Sequence, residues 1–132
     1  MANKLLHLSG IKSGWNVSYF FQTQTWNSYM VTIQDSITKT NYGTWVKTYE
    51  KSSIPHTFSG TFLYTGPDGK LTCYVECAEG NRLDNSWNSS LILPSSGEPT
   101  LGMTYCASFE DFSGSIDYND FFVCLTGWSH GG

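Results

Sequence analysis

The sequence predicts an all-β chain, an antiparallel β-sandwich of about nine short strands, and three observations carry that expectation. Apolar and polar residues alternate with period two along the whole length, and no window of about a dozen residues sustains a 3.6-residue pattern. Aromatic residues reach 16% while charged residues stop at 14%, and the polar remainder is Ser, Thr, Asn, Gln and Gly. Such a composition suits half-buried pleated strands joined by dense turns. Turn-forming clusters, Gly66-Pro67-Asp68-Gly69, Gly80-Asn81 and Ser95-Ser96-Gly97, punctuate the alternation.

In chain order the strands are expected at 4–11, 15–22 (WNVSYFFQ), 28–35 (SYMVTIQD), 44–50 (TWVKTYE), 57–65 (TFSGTFLYT), 70–77 (KLTCYVEC), 86–93 (SWNSSLIL), 101–109 (LGMTYCASF) and 121–128 (FFVCLTGW). Each is a short alternating run bounded by Gly, Pro, Asn, Asp or Ser. The stretch Gly66 to Gly69 reads as the clearest hairpin turn, joining two strands of similar length. No linker, low-complexity segment or internal repeat divides the 132 residues, so a single domain spanning 1–132 is expected. A chain of that size buries roughly two-thirds of its unfolded surface and needs no external staple.

The charge balance bears on partners. Seven Lys and Arg stand against eleven Asp and Glu, a net charge of -4, and the cations are scattered. Affinity for a phosphate backbone comes from clustered Lys and Arg, so no nucleic-acid partner is expected. The N-terminal MANKLLHLSGIKSG is too short and too polar for a signal peptide or a membrane span, and no later stretch approaches transmembrane length. Synthesis in the cytoplasm is expected, with any extracellular role reached by a leaderless route. The sequons at Asn16 and Asn88 carry no weight without a leader.

Four cysteines, Cys73, Cys77, Cys106 and Cys124, allow three pairings. Cys73 and Cys77 lie four apart on one strand, about 13 Å between Cα atoms, beyond the roughly 7 Å limit for a disulfide. Either they bond across to Cys106 and Cys124, or all four are reduced core thiols. A zinc site needs closer, looped spacing.

Most aromatics have a plain role. Trp15, Tyr19, Phe21, Tyr29, Trp45, Tyr49, Phe58, Phe62, Tyr64 and Tyr74 sit at strand-alternating positions and are expected in the core or in cross-strand pairs. Trp26 and Trp87, beside polar residues, are the candidates for an exposed sugar-stacking platform.

The acids are unevenly spread. Glu110, Asp111, Asp117 and Asp120 fall within eleven residues, together with Ser113, Gly114, Ser115 and Asn119, just before the last expected strand. Carboxylates so crowded repel unless a cation neutralises them. Ca²⁺ takes six to eight oxygens from carboxylates, amide carbonyls and backbone, whereas Mg²⁺ demands stricter geometry and zinc or copper wants His or thiolate. The three histidines lie in separate contexts, so calcium is the expected ion. The spacing is not that of an EF-hand. The plain alternative is a solvated turn with Asx-type bonds to backbone.

The segment EDFSGSIDYNDFFVCLTGW, followed by a glycine end, resembles the C-terminal segment of the bacterial two-calcium fucose- and mannose-binding lectins, over roughly twenty residues. The resemblance implies that Asp117 and Asp120 bridge two calcium ions and that Asn119 reaches one. It places Asp111 as an upstream bidentate acid, or Glu110 after a one-residue shift. Ser115 stands where the family carries an Asp, which implies a weakened or single site. Gly132 is the candidate for the terminal carboxylate that reaches a dimer partner's site, and Gln22 for an amide oxygen from an early loop. Sugar hydroxyls would complete the calcium shell, with Asp117 and Asp120 also accepting their protons and the peptides of Ser113, Gly114 and Ser115 lining the rim. A homodimer or homotetramer would add avidity.

The expected function is therefore that of a calcium-dependent, carbohydrate-binding lectin for fucose- or mannose-like sugars. The alternatives are a calcium-stiffened structural or adhesive sandwich that binds no sugar, and a membrane-binding β-protein without the basic belt such a role should bring. No enzyme is expected: crowded acids serve a cation better than an acid and nucleophile whose pKa values must diverge. No Ser-His-Asp or Cys-His arrangement and no phosphate loop has a recognisable context.

Overall fold

Among the described residues, alternation of side chains produces nine strands: β1 (Ala2–His7), β2 (Asn16–Thr23), β3 (Tyr29–Asp35), β4 (Asn41–Lys47), β5 (His56–Leu63), β6 (Leu71–Cys77), β7 (Asp84–Ile92), β8 (Gly102–Glu110) and β9 (Phe121–Trp128). The computed structural model describes residues 1–52, 54–111 and 120–130, and among them there is no helix. The strands form two antiparallel sheets, β1-β6-β3-β4 and β5-β2-β9-β8-β7, packed as a sandwich. In β3 the pattern is direct: Tyr29, Val31, Ile33 and Asp35 are buried, and the residues between them are not. β9 does the same with Phe121, Val123, Leu125 and Gly127. The edge strand β7 alternates least and is mostly exposed.

The core lies between the inner faces, with Tyr29, Val31, Ile33, Leu71, Cys73 and Val75 from one sheet against Val17, Phe21, Phe109, Phe121, Val123 and Leu125 from the other. At one end of it aromatic rings stack in series. Tyr29 lies on Phe121 at 4.7 Å between centroids, and Phe121 meets Phe21 at 6.0 Å and Phe109 at 5.7 Å. Pairs of this kind add about 0.5–1.5 kcal/mol each beyond their buried area. Phe121 directly follows Asp120, so this stack anchors the start of β9.

Four expectations are corrected. Gly66 to Gly69 does not make a hairpin: β5 pairs with β2, while β6 pairs with β1 and β3 in the opposite sheet. The turn is instead an arch between sheets, with Gly69 at φ 73° and its N–H donated to the Ile11 carbonyl at 3.0 Å. The proposed disulfides from Cys73 and Cys77 to Cys106 and Cys124 are absent, because the first two point into the core from β6 and the last two are half-buried on the outer face of the other sheet. The same placement removes Cys106 and Cys124 from the core. Tyr49 also leaves the core group: β4 ends at Lys47, and Tyr49 is exposed.

Candidate functional site

β8 ends on Glu110 and β9 begins after Asp120, so the antiparallel pairing of the two strands returns the chain to the point it left. Carboxylate oxygens of Glu110, Asp111 and Asp120 all lie within 4.8 Å of one another. The Asp111 N–H donates to Asp120 Oδ2 at 3.1 Å. Glu110 and Asp111 are buried, and Asp120 is half-buried.

The core holds this cluster from below. The Tyr29 hydroxyl donates to Asp111 Oδ2 at 2.9 Å, and the Cys77 thiol approaches the same oxygen at 4.0 Å. Burial, then the negative charge of Asp111, push the Tyr29 hydroxyl far above the usual phenol range. The same two causes push the Cys77 thiol up to about 11. Both groups therefore stay protonated at neutral pH and act as donors to Asp111. Cys77 is no thiolate metal ligand.

Two crossings between the sheets meet the cluster from the sides. The segment after β2 donates the Gln24 N–H to the Asp120 carbonyl at 3.3 Å, and the segment after β6 donates the Asn81 N–H to the Asp111 carbonyl at 3.2 Å. A Cβ on Gly80 would sit 2.9 Å from the Asp111 carbonyl oxygen and 2.9 Å from Cys77 Sγ, which explains the absence of a side chain there. The first crossing is latched by Lys47, buried at the end of β4, whose Nζ donates to the carbonyls of Thr25 at 2.7 Å and Asn27 at 2.8 Å. Ser28 closes it by donating its N–H to Glu79 Oε2 at 2.8 Å.

Electrostatics sets what the cluster can do. Burial, then a hydrogen bond shared with the Glu110 side chain and the charges of Asp111 and Glu110, raise the Asp120 carboxyl to about 8, against the Asp111 N–H, which favours its charged form. A proton thus sits among three carboxyl groups near neutral pH. A cation can take its place. The donors are hard oxygens with no His nitrogen among them, which fits Ca²⁺ rather than zinc or copper.

The structure brings together three of the expected site residues, Glu110, Asp111 and Asp120. Ser113, Gly114, Ser115, Asp117, Asn119 and Gly132 lie outside the described residues. Gln22 lies in β2, paired with Phe122 and Thr57, and not in a loop; the segment beyond it meets Asp120 through the Gln24 N–H, which offers an ion no oxygen. Trp26, two residues beyond Gln24, is 46% exposed, and Trp87 on β7 is 42% exposed and tilted against Tyr105 at 5.5 Å. Tyr29, Cys77, Asn81 and Lys47 are site-supporting residues that the sequence does not flag. Tyr29 and Cys77 read locally as ordinary alternating core residues.

No protein-family model matches the chain, and no curated protein matches it in sequence. Solved structures do. The C-terminal domain of the BC2L-C lectin from Burkholderia cenocepacia superposes with a TM-score of 0.56 at 14% identity, covering 96% of both chains. The lectin CV2L of Chromobacterium violaceum, solved with α-methyl-fucoside, gives 0.53 at 12% identity, again over 96% of each chain. A high-affinity mannose-binding lectin from Ralstonia solanacearum gives 0.55 at 12% identity and the same coverage. At these identities the likeness is one of fold, and over nearly its full length this chain has the β-sandwich of those bacterial lectins.

Proposed function

We propose that the chain is a carbohydrate-binding lectin of the bacterial fucose- and mannose-binding kind, in which calcium held at the end of β8 and the start of β9 coordinates sugar hydroxyls directly. The observation that carries this reading is the cluster of Glu110, Asp111 and Asp120, within 4.8 Å of one another, in a sandwich shared with lectins. Glu110, Asp111 and Asp120 would hold the ion, joined by Asp117 and Asn119 from the intervening sequence.

A bare protein surface binds a pyranose weakly, since each hydrogen bond gained replaces one to water. An ion with open positions alters this. Vicinal hydroxyls enter its shell already fixed by the ring, and the carboxylates that hold the ion accept their protons as charge-assisted bonds. A homodimer or homotetramer would multiply weak single sites into avidity.

The test is thermal shift and calorimetry with α-methyl-fucoside and α-methyl-mannoside, in calcium and in chelator. Sugar should stabilise the protein only in calcium, and Asp120→Ala should abolish the effect while the fold persists. Calcium uptake near neutral pH should release protons from the cluster. Sugar binding that survives chelation or Asp120→Ala would overturn the mechanism, and calcium binding without any sugar response would favour the structural sandwich.

A further inference from the structure

The outer face of the five-stranded sheet carries a second chemical feature, unrelated to the acids. Cys106 on β8 and Cys124 on β9 are directly paired in the register of the two strands. Their sulfurs lie 3.1 Å apart, about 1 Å beyond a disulfide bond length of roughly 2.0 Å. Antiparallel partners have Cα atoms about 4.5 or 5.5 Å apart, depending on the hydrogen-bonding position. Both separations fall within the roughly 4.4–6.8 Å that a disulfide spans.

Register and alternation create this arrangement together. Phe121, Val123 and Leu125 point inward and so do Tyr105, Ala107 and Phe109, which sends Cys124 and Cys106 outward to the same place. The row continues to Phe20 on β2 and Asn88 on β7. Both thiols are half-buried, so a small oxidant in solvent can reach them. Cys73 and Cys77, by contrast, are buried in the core.

We propose that Cys106 and Cys124 form a reversible thiol–disulfide site, oxidised by low-molecular-weight disulfides of the glutathione class. One protein thiolate attacks a sulfur of oxidised glutathione, forming a mixed disulfide and releasing one glutathione thiolate. The second protein thiolate then attacks the protein sulfur of that mixed disulfide and releases the other. Two protein thiols are oxidised, one glutathione disulfide is reduced, and the two protons pass to the two leaving thiolates. Burial, and then the neighbouring Cys106 thiol, push the Cys124 thiol up to about 11, so exchange at neutral pH is slow and quickens in mild alkali. The bond that forms ties β8 to β9 four residues before Glu110, which ends β8, and four after Asp120, which precedes β9. Linking these positions restricts the unfolded chain and fixes the two strands whose ends meet at the acids.

The experiment incubates the folded protein with oxidised glutathione, alkylates the remaining thiols, and maps peptides without reduction. A linked pair containing Cys106 and Cys124, with the loss of two hydrogens in intact mass and reversal by dithiothreitol, is expected. Cys73 and Cys77 should be alkylated only after denaturation. Oxidation should raise Tm by roughly 5–10 °C, and Cys124→Ser should stop at a glutathione adduct on Cys106. Full alkylation of Cys106 and Cys124 after treatment with excess oxidant would overturn the proposal. So would a linkage through Cys73 or Cys77, or a wild-type glutathione adduct that never resolves.

Discussion

Replacing Asp120 by Asn should stabilise the protein without calcium and remove its response to calcium. The magnitude follows from the cluster. Carboxylate oxygens within 4.8 Å repel by about 3.5 kcal/mol per charged pair at an effective dielectric of about 20. Solvent screening around half-buried Asp120 reduces the net relief to roughly 1–3 kcal/mol. The amide oxygen of Asn can still accept the Asp111 N–H. The pH window has a definite sign. The folded Asp120 carboxyl lies near 8 against an ordinary 3.8, so between those values the folded state binds more protons than the unfolded one. The stability of the calcium-free wild type should therefore fall as pH rises from about 4 to about 8, while the variant loses this dependence. For a domain of this length 1 kcal/mol moves Tm by about 4 °C, giving a gain of about 4–12 °C for the variant near pH 8.5 in chelator. Calcium at a hundred times its Kd should add about 2.7 kcal/mol to the wild type and nothing to the variant, which closes or reverses the gap between them. Thermal melts across pH, in chelator and in calcium, measure both effects. A variant that melts at or below the wild type in chelator near pH 8.5 would refute the crowding of these acids.

Two further substitutions test the supports of the site. Tyr29→Phe keeps the stack on Phe121 but leaves Asp111 without its hydroxyl donor, and urea unfolding should show a loss of about 1–3 kcal/mol. Lys47→Met leaves the Thr25 and Asn27 carbonyls without their ammonium donor. Amides of residues 24–28 should then exchange faster with solvent while those in the middle of β8 do not, and equal acceleration in both would show that Lys47 acts on the whole fold.

All nine strands were legible in the sequence, displaced by at most a few residues. The reason is local: a strand with one face buried must alternate, and runs such as YMVTIQD show that alternation without reference to any partner. The gathering of Glu110, Asp111 and Asp120 was legible for the same reason, since they lie close along the chain. Pairing was not. Gly66 to Gly69 marks a reversal whether the next strand returns beside β5 or crosses to β1 and β3, and only the burial of Leu71, Cys73 and Val75 against the opposite sheet chooses between them. The Tyr29 hydroxyl meets Asp111 across 82 positions of sequence, and Cys106 faces Cys124 through a register set by strand pairing. Side-chain alternation is a property of a single strand and is written in its own residues. Contacts between strands depend on which faces can be buried together, and that is decided only when the two sheets close on one core.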